Sequence, residues 1–534
     1  MSELARDLVD ERGARWRIRS AGPAAALLET DEPPSADLSR RLAALRTALW
    51  PTRPRSVHDL VPSFTALLAE FRAGADGSEV RRWLHGAVAV EPSPTPQHHD
   101  IVVRYGEGAD ADDLATRLAL PWDEIVRRHA AAPYTVAFIG FTPGFPYLHG
   151  LPDELRTPRR TTPRADVPAG SVAIADAHAG IYPRASPGGW WLLGRTDAPL
   201  FDAHREPPAL LATGDEVRFV PAGRSRTTSP KPPSPTAPER GDPVLEVVAA
   251  WRGAVTLQTR PRWGVGQYGL AQAGPLDEAA HGAAQDILGD LRWAAVLEAT
   301  VPSLTLRALA DVTAVVTGGG ARIRADGRLV PTWRPFSLRR GAFLELVPEP
   351  NGSGATAYLA IAGGLVALAP PTGHPDLVGS GSTDVRGGIG GFGRALIPGD
   401  LLALAGPTRA LRPWPGRPRY AQRALLRLHP GLQGEPAALE ALHGGRFIVR
   451  SRDRTGARLE GPSIRLERHD VASQGVPWGA VQVPADGNPI VLLADRGRTG
   501  GYAVPAIVDP RDLWQLAQAR PGSEVWFVPP DAFR

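Results

Sequence analysis

Between residues 222 and 243 the chain reads AGRSRTTSPKPPSPTAPERGDP, a run with no large apolar side chain. Such a run cannot bury a core, and its prolines predict an extended, semi-rigid connector. It divides the 534 residues into two modules, each long enough to build its own core. The connector also holds Lys231, the one lysine of the chain. A P-loop needs a lysine behind its glycines, a pyridoxal enzyme needs a Schiff-base lysine, and a biotin carrier needs a biotinyl lysine. None of these can be built here. The chain also has no cysteine, which removes disulfides, thiolate zinc sites, iron–sulfur clusters and cysteine nucleophiles.

The rest of the composition is that of a globular protein: 43% hydrophobic and 22% charged residues, with 58 glycines and 55 prolines. The glycine and proline content favours turns and short strands over long helices. The start, MSELARDLVDERGARW, has no apolar core and does not read as a signal peptide. The longest apolar stretch, 358–371, is too short for a membrane span. A cytoplasmic protein is expected, with no membrane partner. Its arginines are dispersed among acids, without a basic block, so no nucleic-acid partner is expected. The histidines show no HxH or HExxH spacing, so no metal site is expected.

A mainly β protein with α+β additions is predicted. Leu38, Leu42, Leu45 and Leu49 recur at helical spacing. Val61–Phe71 reads as a strand–helix unit, and 113–130 as two short helices joined at Leu120-Pro121. From residue 134 short β-prone runs alternate with Pro/Gly turns, which suggests a barrel. Beyond the connector, Leu276–Leu288 reads as a helix with Asp277 at its start and Gly289 after its end. Residues 420–443 read as another helix. The stretches ATGDEVRFV (212–220), IPGDLLAL (397–404) and PGSEVWFV (521–528) share a turn-then-strand form, a hint that one barrel is used repeatedly.

Some segments are too constrained to be mere connections. GFTPGFPYLHGL (140–151) combines glycines and prolines with Phe141, Phe145, Tyr147 and His149, as a ligand-facing wall or as a cap over the barrel. Arg159 and Arg164 suit a carboxylate or phosphate, and Gly170 and Ser171 could present N–H groups to an anion. In the second module, Asp277 is either a site acid or a plain helix cap. GSGSTDVRGGIGGFG (379–393) carries Ser382, Thr383 and Arg386 but lacks a P-loop lysine. SRDRTGARL (451–459) and DRGRTGGY (495–502) cluster arginines near acids, and the latter follows a strand. The alternative for each glycine-rich stretch is a plain surface loop.

The run from Gly140 to Thr196, which includes GFTPGFPYLHGL, VPAGSVAIA, GIYPR and SPGGWWLLGR, resembles the KipI family, also called allophanate hydrolase subunit 1 or the oxoprolinase B subunit. GPLDEAAHGAAQDILGD, LEAT, GSTDVRGGIGGFGRAL, SRDRTGARLEGP and VPWGAVQVPADGNPIVLLADRGRTGGY resemble the KipA family, the oxoprolinase C subunit. Glu278, Gln285, Asp290, Ala457 and Gln474 depart from the usual KipA pattern. The resemblance implies cyclophilin-like β-barrels. It assigns 1–110 to a small α/β subdomain, 111–221 to a barrel, 222–243 to the linker and 244–534 to a carboxyltransferase-type module with barrels.

The function it implies is that of a fused B/C component of an ATP-dependent 5-oxoprolinase. That component would act on a small amide or lactam with a LamB/YcsF-type subunit and use ATP through the complex. The alternatives are a carboxyltransferase acting on urea or a related amide with biotin on a partner protein, and a KipI-type regulator of a sensor histidine kinase. Amide chemistry needs a polarised carbonyl and a stabilised oxyanion, which favours arginines and N–H groups. The candidate catalytic residues are Asp277, Arg386 and Asp495. The candidate substrate-binding residues are Tyr147, Arg159, Arg164, Ser171, Tyr182, Ser382, Thr383, Arg454, Arg496 and Thr499.

Overall fold

The structure, a computed structural model, describes residues 13–87, 96–222, 241–290, 294–349, 354–368, 381–413, 416, 418 and 420–532, with the backbone of 8–9. The predicted connector, apart from its ends, lies outside the described residues. The chain begins with a five-stranded antiparallel sheet, in the order Leu8–Val9, Arg15–Ser20, Ala25–Thr30, Ala66–Phe71, Val57–Pro62. The helix Ala36–Thr52 starts at Ser35, whose hydroxyl accepts from the Leu38 N–H at 3.1 Å. Its leucines at 38, 42, 45 and 49 bury against Leu28, Leu60 and Leu67, as their spacing predicts. Ala66–Phe71 corrects the sequence reading: it is a strand, not part of a helix. It lies between two partner strands and is buried on both faces, and this context overrides the helix propensity of Ala, Leu and Glu.

The sheet's opposite face, with Leu27, Val61 and Leu68, packs on Val476, Ala480 and Ile507 of the second module. The two modules therefore share a core.

Seven strands then close a barrel around Ile101, Val136, Leu148, Val172, Ile174 and Leu193. The helices Ala111–Leu118 and Trp122–Ala131 cover one end, split at Pro121 as predicted. The barrel's first strand is His98–Tyr105, which pairs in parallel with the last, Glu216–Pro221. The barrel thus reaches back into the stretch that the sequence reading gave to the α/β subdomain ending at 110. Only pairing with a strand more than a hundred residues away reveals this.

In the second module, a seven-stranded sheet and a five-stranded sheet enclose a core that includes Leu245, Val255, Leu306, Ile323 and Leu359. Among the described residues this is a stacked pair of sheets and not a closed barrel, so they show one closed barrel in the region where the resemblance implies barrels. The helix Glu278–Leu288 lies outside, with Asp277 as its N-cap and Gly289 in the left-handed conformation after it.

Residues 420–443 are corrected as well. Arg423–Pro430 is a strand and only Pro436–Gly444 is helical. The strand buries alternate residues and pairs in parallel with Glu524–Val528, a long-range partner with no local signature.

That strand opens a second seven-stranded barrel with the topology of the first. With the strands of each barrel numbered 1 to 7 along the chain, both rings run 1-6-4-5-3-2-7 and close on a parallel 1–7 pair. Each barrel also has a two-stranded flap between the same positions, 164–167 with 186–188 in the first and 470–475 with 499–502 in the second. Two of the three similar turns close these barrels, and the third leads to Leu401–Leu404 inside the open seven-stranded sheet.

Candidate functional site

The second barrel projects a tight turn at Asp453–Thr455, where the Asp453 carboxylate accepts the Thr455 and Gly456 N–H groups at 2.7 and 3.0 Å. The turn aims Arg454 inward. Its Nε and Nη2 donate to the two Asp495 oxygens at 2.8 Å each, its Nη1 donates to Glu298, and Nη2 also reaches the Gly274 carbonyl at 2.7 Å. Glu298 in turn accepts from the Leu276 N–H (2.8 Å) and the Tyr358 hydroxyl (2.9 Å), and the Tyr358 oxygen accepts the Asp277 N–H at 2.8 Å. The Asp277 side chain caps its helix through Ala280 N–H (3.0 Å) and accepts from Gln518 at 2.9 Å.

The structure therefore gathers Asp277, Arg454 and Asp495 into one buried network and adds Glu298, Tyr358 and Gln518. Burial, foremost, raises the Asp277 carboxyl. Burial, with the charges of Asp384 and Glu298, outweighs Arg454 and lifts Asp495 to about 6.

The glycine-rich segment packs beside this network. Ser382 is fully buried. Its hydroxyl accepts from the Thr259 N–H (2.8 Å) and donates to the Arg260 carbonyl (3.0 Å). Thr383 is also fully buried, with its peptide bonded to Leu257. Gly390 lies directly on the Ser382 carbonyl and Gly387 on the Asp384 carboxylate, so the segment is a filled turn rather than an open cradle. Arg386 points to the first module and donates to the Phe141 carbonyl at 3.3 Å. The Phe141 N–H donates to the Thr499 hydroxyl at 3.2 Å. Phe141 itself has φ +62°, an uncommon conformation for a bulky residue. Two candidate residues of the second module thus hold the backbone on both sides of Phe141 in the first module's GFTPGF loop.

Arg496 lies elsewhere. It is 1% exposed and donates to Glu70 of the first sheet, to Gln272 Oε1 (3.0 Å) and to the Val476 carbonyl (3.1 Å). Its neighbour Arg498, fully buried, pairs with Asp59 at 3.0 Å and with Glu70.

Above these groups opens a cleft of about 970 Å³, walled by both modules. Ala21, Pro23, Ala24, His58 and Glu70–Ala73 come from the first sheet and its turns, Arg260, Trp263, Gln272, Leu276 and Glu278 from the segment leading into the helix, and Trp478, Arg511 and Trp514 from the connections of the second barrel. His58 stacks on Trp263 at 3.9 Å, and burial lowers its pKa. The neighbours of Asp277 line the cleft, and so do the two side chains, Glu70 and Gln272, that hold Arg496. The cleft offers aromatic faces, arginines and carboxylates to a ligand of mixed character.

The first-module candidates separate into two groups. Tyr147 and Tyr182 share an aromatic cluster on the barrel's outer side with Phe64, Phe138, Phe145 and Trp190. The Tyr147 ring stacks on Phe138 at 4.4 Å, and burial raises Tyr182 to about 12. His149 and His178 flank the cluster, both lowered by burial to about 4.

The remaining three have other partners. Arg159 makes an exposed pair with Asp176 at 3.2 Å. Arg164 is tied to Asp110, whose other oxygen accepts the Leu192 N–H. The Ser171 hydroxyl and N–H both bond the Pro168 carbonyl, and the Gly170 N–H bonds the Tyr182 carbonyl. The N–H groups that the sequence reading offered to an anion are therefore used inside the turn.

Sequence reasoning missed Asp59, Glu70, Glu298, His58 and Trp263. Glu70 carried a signal, as a lone acid inside the apolar run VPSFTALLAEF. Glu298 sits in LEAT, which reads as a motif but not as a site.

Residues 16–211 match the carboxyltransferase domain, subdomains C and D, and residues 268–529 match its subdomains A and B. The chain is 40% identical over 215 residues to the B subunit of 5-oxoprolinase from Escherichia coli O157:H7, covering 96% of that protein and 39% of this one. It is 33% identical over 279 residues to the C subunit of 5-oxoprolinase from Escherichia coli K12, covering 87% of that protein and 51% of this one. Urea amidolyase of Saccharomyces cerevisiae is 26% identical over 302 residues, which are 16% of its length and 51% of this chain. The crystal structure of TTHA0988 superposes with a TM-score of 0.83 at 38% identity, over 96% of this chain and all of that one.

Proposed function

This chain belongs to the family of the B and C subunits of 5-oxoprolinase, both carried in one polypeptide, and from that premise we propose that it is the fused B/C component of an ATP-dependent 5-oxoprolinase-like amidohydrolase. One observation supports this above the others: the two halves match the B subunit and then the C subunit, each over nearly the whole length of the separate protein. The substrate is a small lactam, 5-oxoproline, opened to glutamate. The cleft between the modules is its site. Arginines at the rim suit the carboxylate, and the buried Arg454–Asp495 pair beneath gives a carboxyl that changes charge near pH 6. Among the described residues no helix is long and apolar enough to cross a membrane.

ATP enters through the complex. This chain's residues do not fit a phosphate cradle of the P-loop kind, because the glycine-rich segment is packed against the Ser382 carbonyl, the Asp384 carboxylate and the Arg184 and Arg262 side chains and is followed by no lysine. The LamB/YcsF-type subunit is the partner that completes the enzyme. The test is ATP-dependent glutamate release from 5-oxoproline by the chain with such a partner. Turnover is expected with both proteins present, and none with any partner of this type would refute the reading.

The carboxyltransferase match supports a second reading, transfer of a carboxyl group to an amide from biotin. The single lysine then requires the biotin to sit on another protein. Capture of this chain on streptavidin through a biotinylated partner would favour that reading over the first.

A further inference from the structure

The segment 495–499 carries two guanidiniums, Arg496 and Arg498, into the interior, 1% and 0% exposed. Among the described residues neither pairs with a carboxylate of its own module; there Arg496 meets only neutral acceptors, Gln272 and the Val476 carbonyl. Both carboxylates come from the first module. Glu70, on strand Ala66–Phe71, bridges the two arginines, and Asp59, on Val57–Pro62, takes Arg498 at 3.0 Å. The same two acids reach further into the second module. Glu70 accepts the Trp478 N–H at 3.1 Å and Asp59 the Gly266 N–H at 3.0 Å. Nε and Nη1 of Arg498 have no hydrogen-bond partner among the described residues, so compensation of its charge rests on these two carboxylates.

Every direct ion pair of these two cations and two anions thus crosses the module border, while Arg46 of the first module adds a longer-range attraction on Asp59. Separated, one module would hold two adjacent cations and the other two adjacent anions, each facing an apolar surface.

We propose that Asp59 and Glu70 form the recognition site for the second module's 495–499 loop, with Glu70 as a positioning residue for the peptide that carries Asp495. The half of the candidate site built on the second barrel is complete only with the first module in place. Where the two halves are separate polypeptides, this is the contact that would join them. The role of Asp495 rests on the function proposed above; the association itself does not.

The single lysine provides the test. In a Pro232→Ser chain, a lysine-specific protease cuts the intact folded protein once, after Lys231, and two bands on a denaturing gel verify the cut. A recognition sequence inserted at the same point supplies the cut if Lys231 resists. The cut protein is expected to elute from gel filtration as one species at the intact mass. With Glu70→Gln the fragments are expected to separate, with association weakened at least tenfold. Glu70→Gln/Arg496→Gln, which removes one charge of each sign, is expected to regain association relative to Glu70→Gln.

In the uncut chain with its partner, Glu70→Gln should displace the rise of turnover through pH 6, whereas Asp100→Asn, in an exposed surface pair, should not. The inference is overturned if the cut parent chain falls apart without denaturant, if cut Glu70→Gln stays as tightly joined as the parent, or if the double variant associates no better than the single one. Absence of turnover in the parent with every partner would refute the proposed function and leave the association result standing.

Discussion

At the scale of single residues, Arg454 holds two carboxylates that burial has separated from water. Truncation to Met would leave Glu298 and Asp495 facing each other. Arg454→Met should cost about 3–5 kcal/mol, read as a lower urea midpoint, and Arg454→Lys should recover only part, because lysine cannot reproduce the fork.

Asp495 adds a pH dependence whose sign follows from its raised value. Its carboxyl titrates at about 6 in the fold against 3.8 for an ordinary aspartate. Between those values the unfolded chain has released this proton and the fold still binds it, so stability from this group falls as pH rises from 4 to 6. The melting temperature of the parent minus that of Asp495→Asn should fall over that interval and stay flat above it. Activity that needs the carboxylate should rise over the same range.

Arg159 behaves differently. Its pair with Asp176 has both side chains about half exposed, so Arg159→Ala should change stability by less than about 0.5 kcal/mol. A loss of turnover in that variant would then report ligand contact rather than unfolding.

At the scale of elements, the loop Gly140–Phe145 of the first barrel and the loop 495–499 of the second meet at Thr499. A Cβ at Gly140 would fall on the Thr499 hydroxyl and 3.0 Å from the Phe138 ring. Gly140→Ala should therefore cost about 1–3 kcal/mol. Gly140→Ala/Thr499→Ala should lose less than the sum of the two single changes, as a double-mutant cycle in urea would show.

The elements legible in the sequence were those with local signals. The helix 36–52 showed its leucine spacing, and the helix 278–288 showed both caps. The strands 66–71 and 423–430 were misread because their residues favour helix; pairing makes them strands, the first between its hairpin neighbour 57–62 and 25–30, the second beside the distant 524–528. The site was legible in the same uneven way. Constrained segments such as DRGRTGGY and SRDRTGARL could be picked out, and Asp277, Arg454 and Asp495 do meet. Ser382 and Thr383 also stood out, yet the fold uses their segment to pack a turn. The acids that complete the charge pattern, Asp59, Glu70 and Glu298, sit on ordinary strands, and pairing across more than a hundred residues leaves no local trace.

At the scale of the molecule, two barrels of one topology stand in different settings. The first has an aromatic cluster on its outer side, and the second presents Arg454 and Asp495 to the stacked sheets. The first sheet wedges against the second barrel, so the cleft has walls from both modules. The central claim is that this shared cleft holds the lactam. Its most direct test is a structure of the chain assembled with the proposed LamB/YcsF-type partner in the presence of 5-oxoproline. The account predicts ligand density between Trp263, Trp478 and Gln272, lost in the Glu70→Gln assembly. Density instead against Tyr147 and Tyr182 on the first barrel, with the cleft empty, would contradict it.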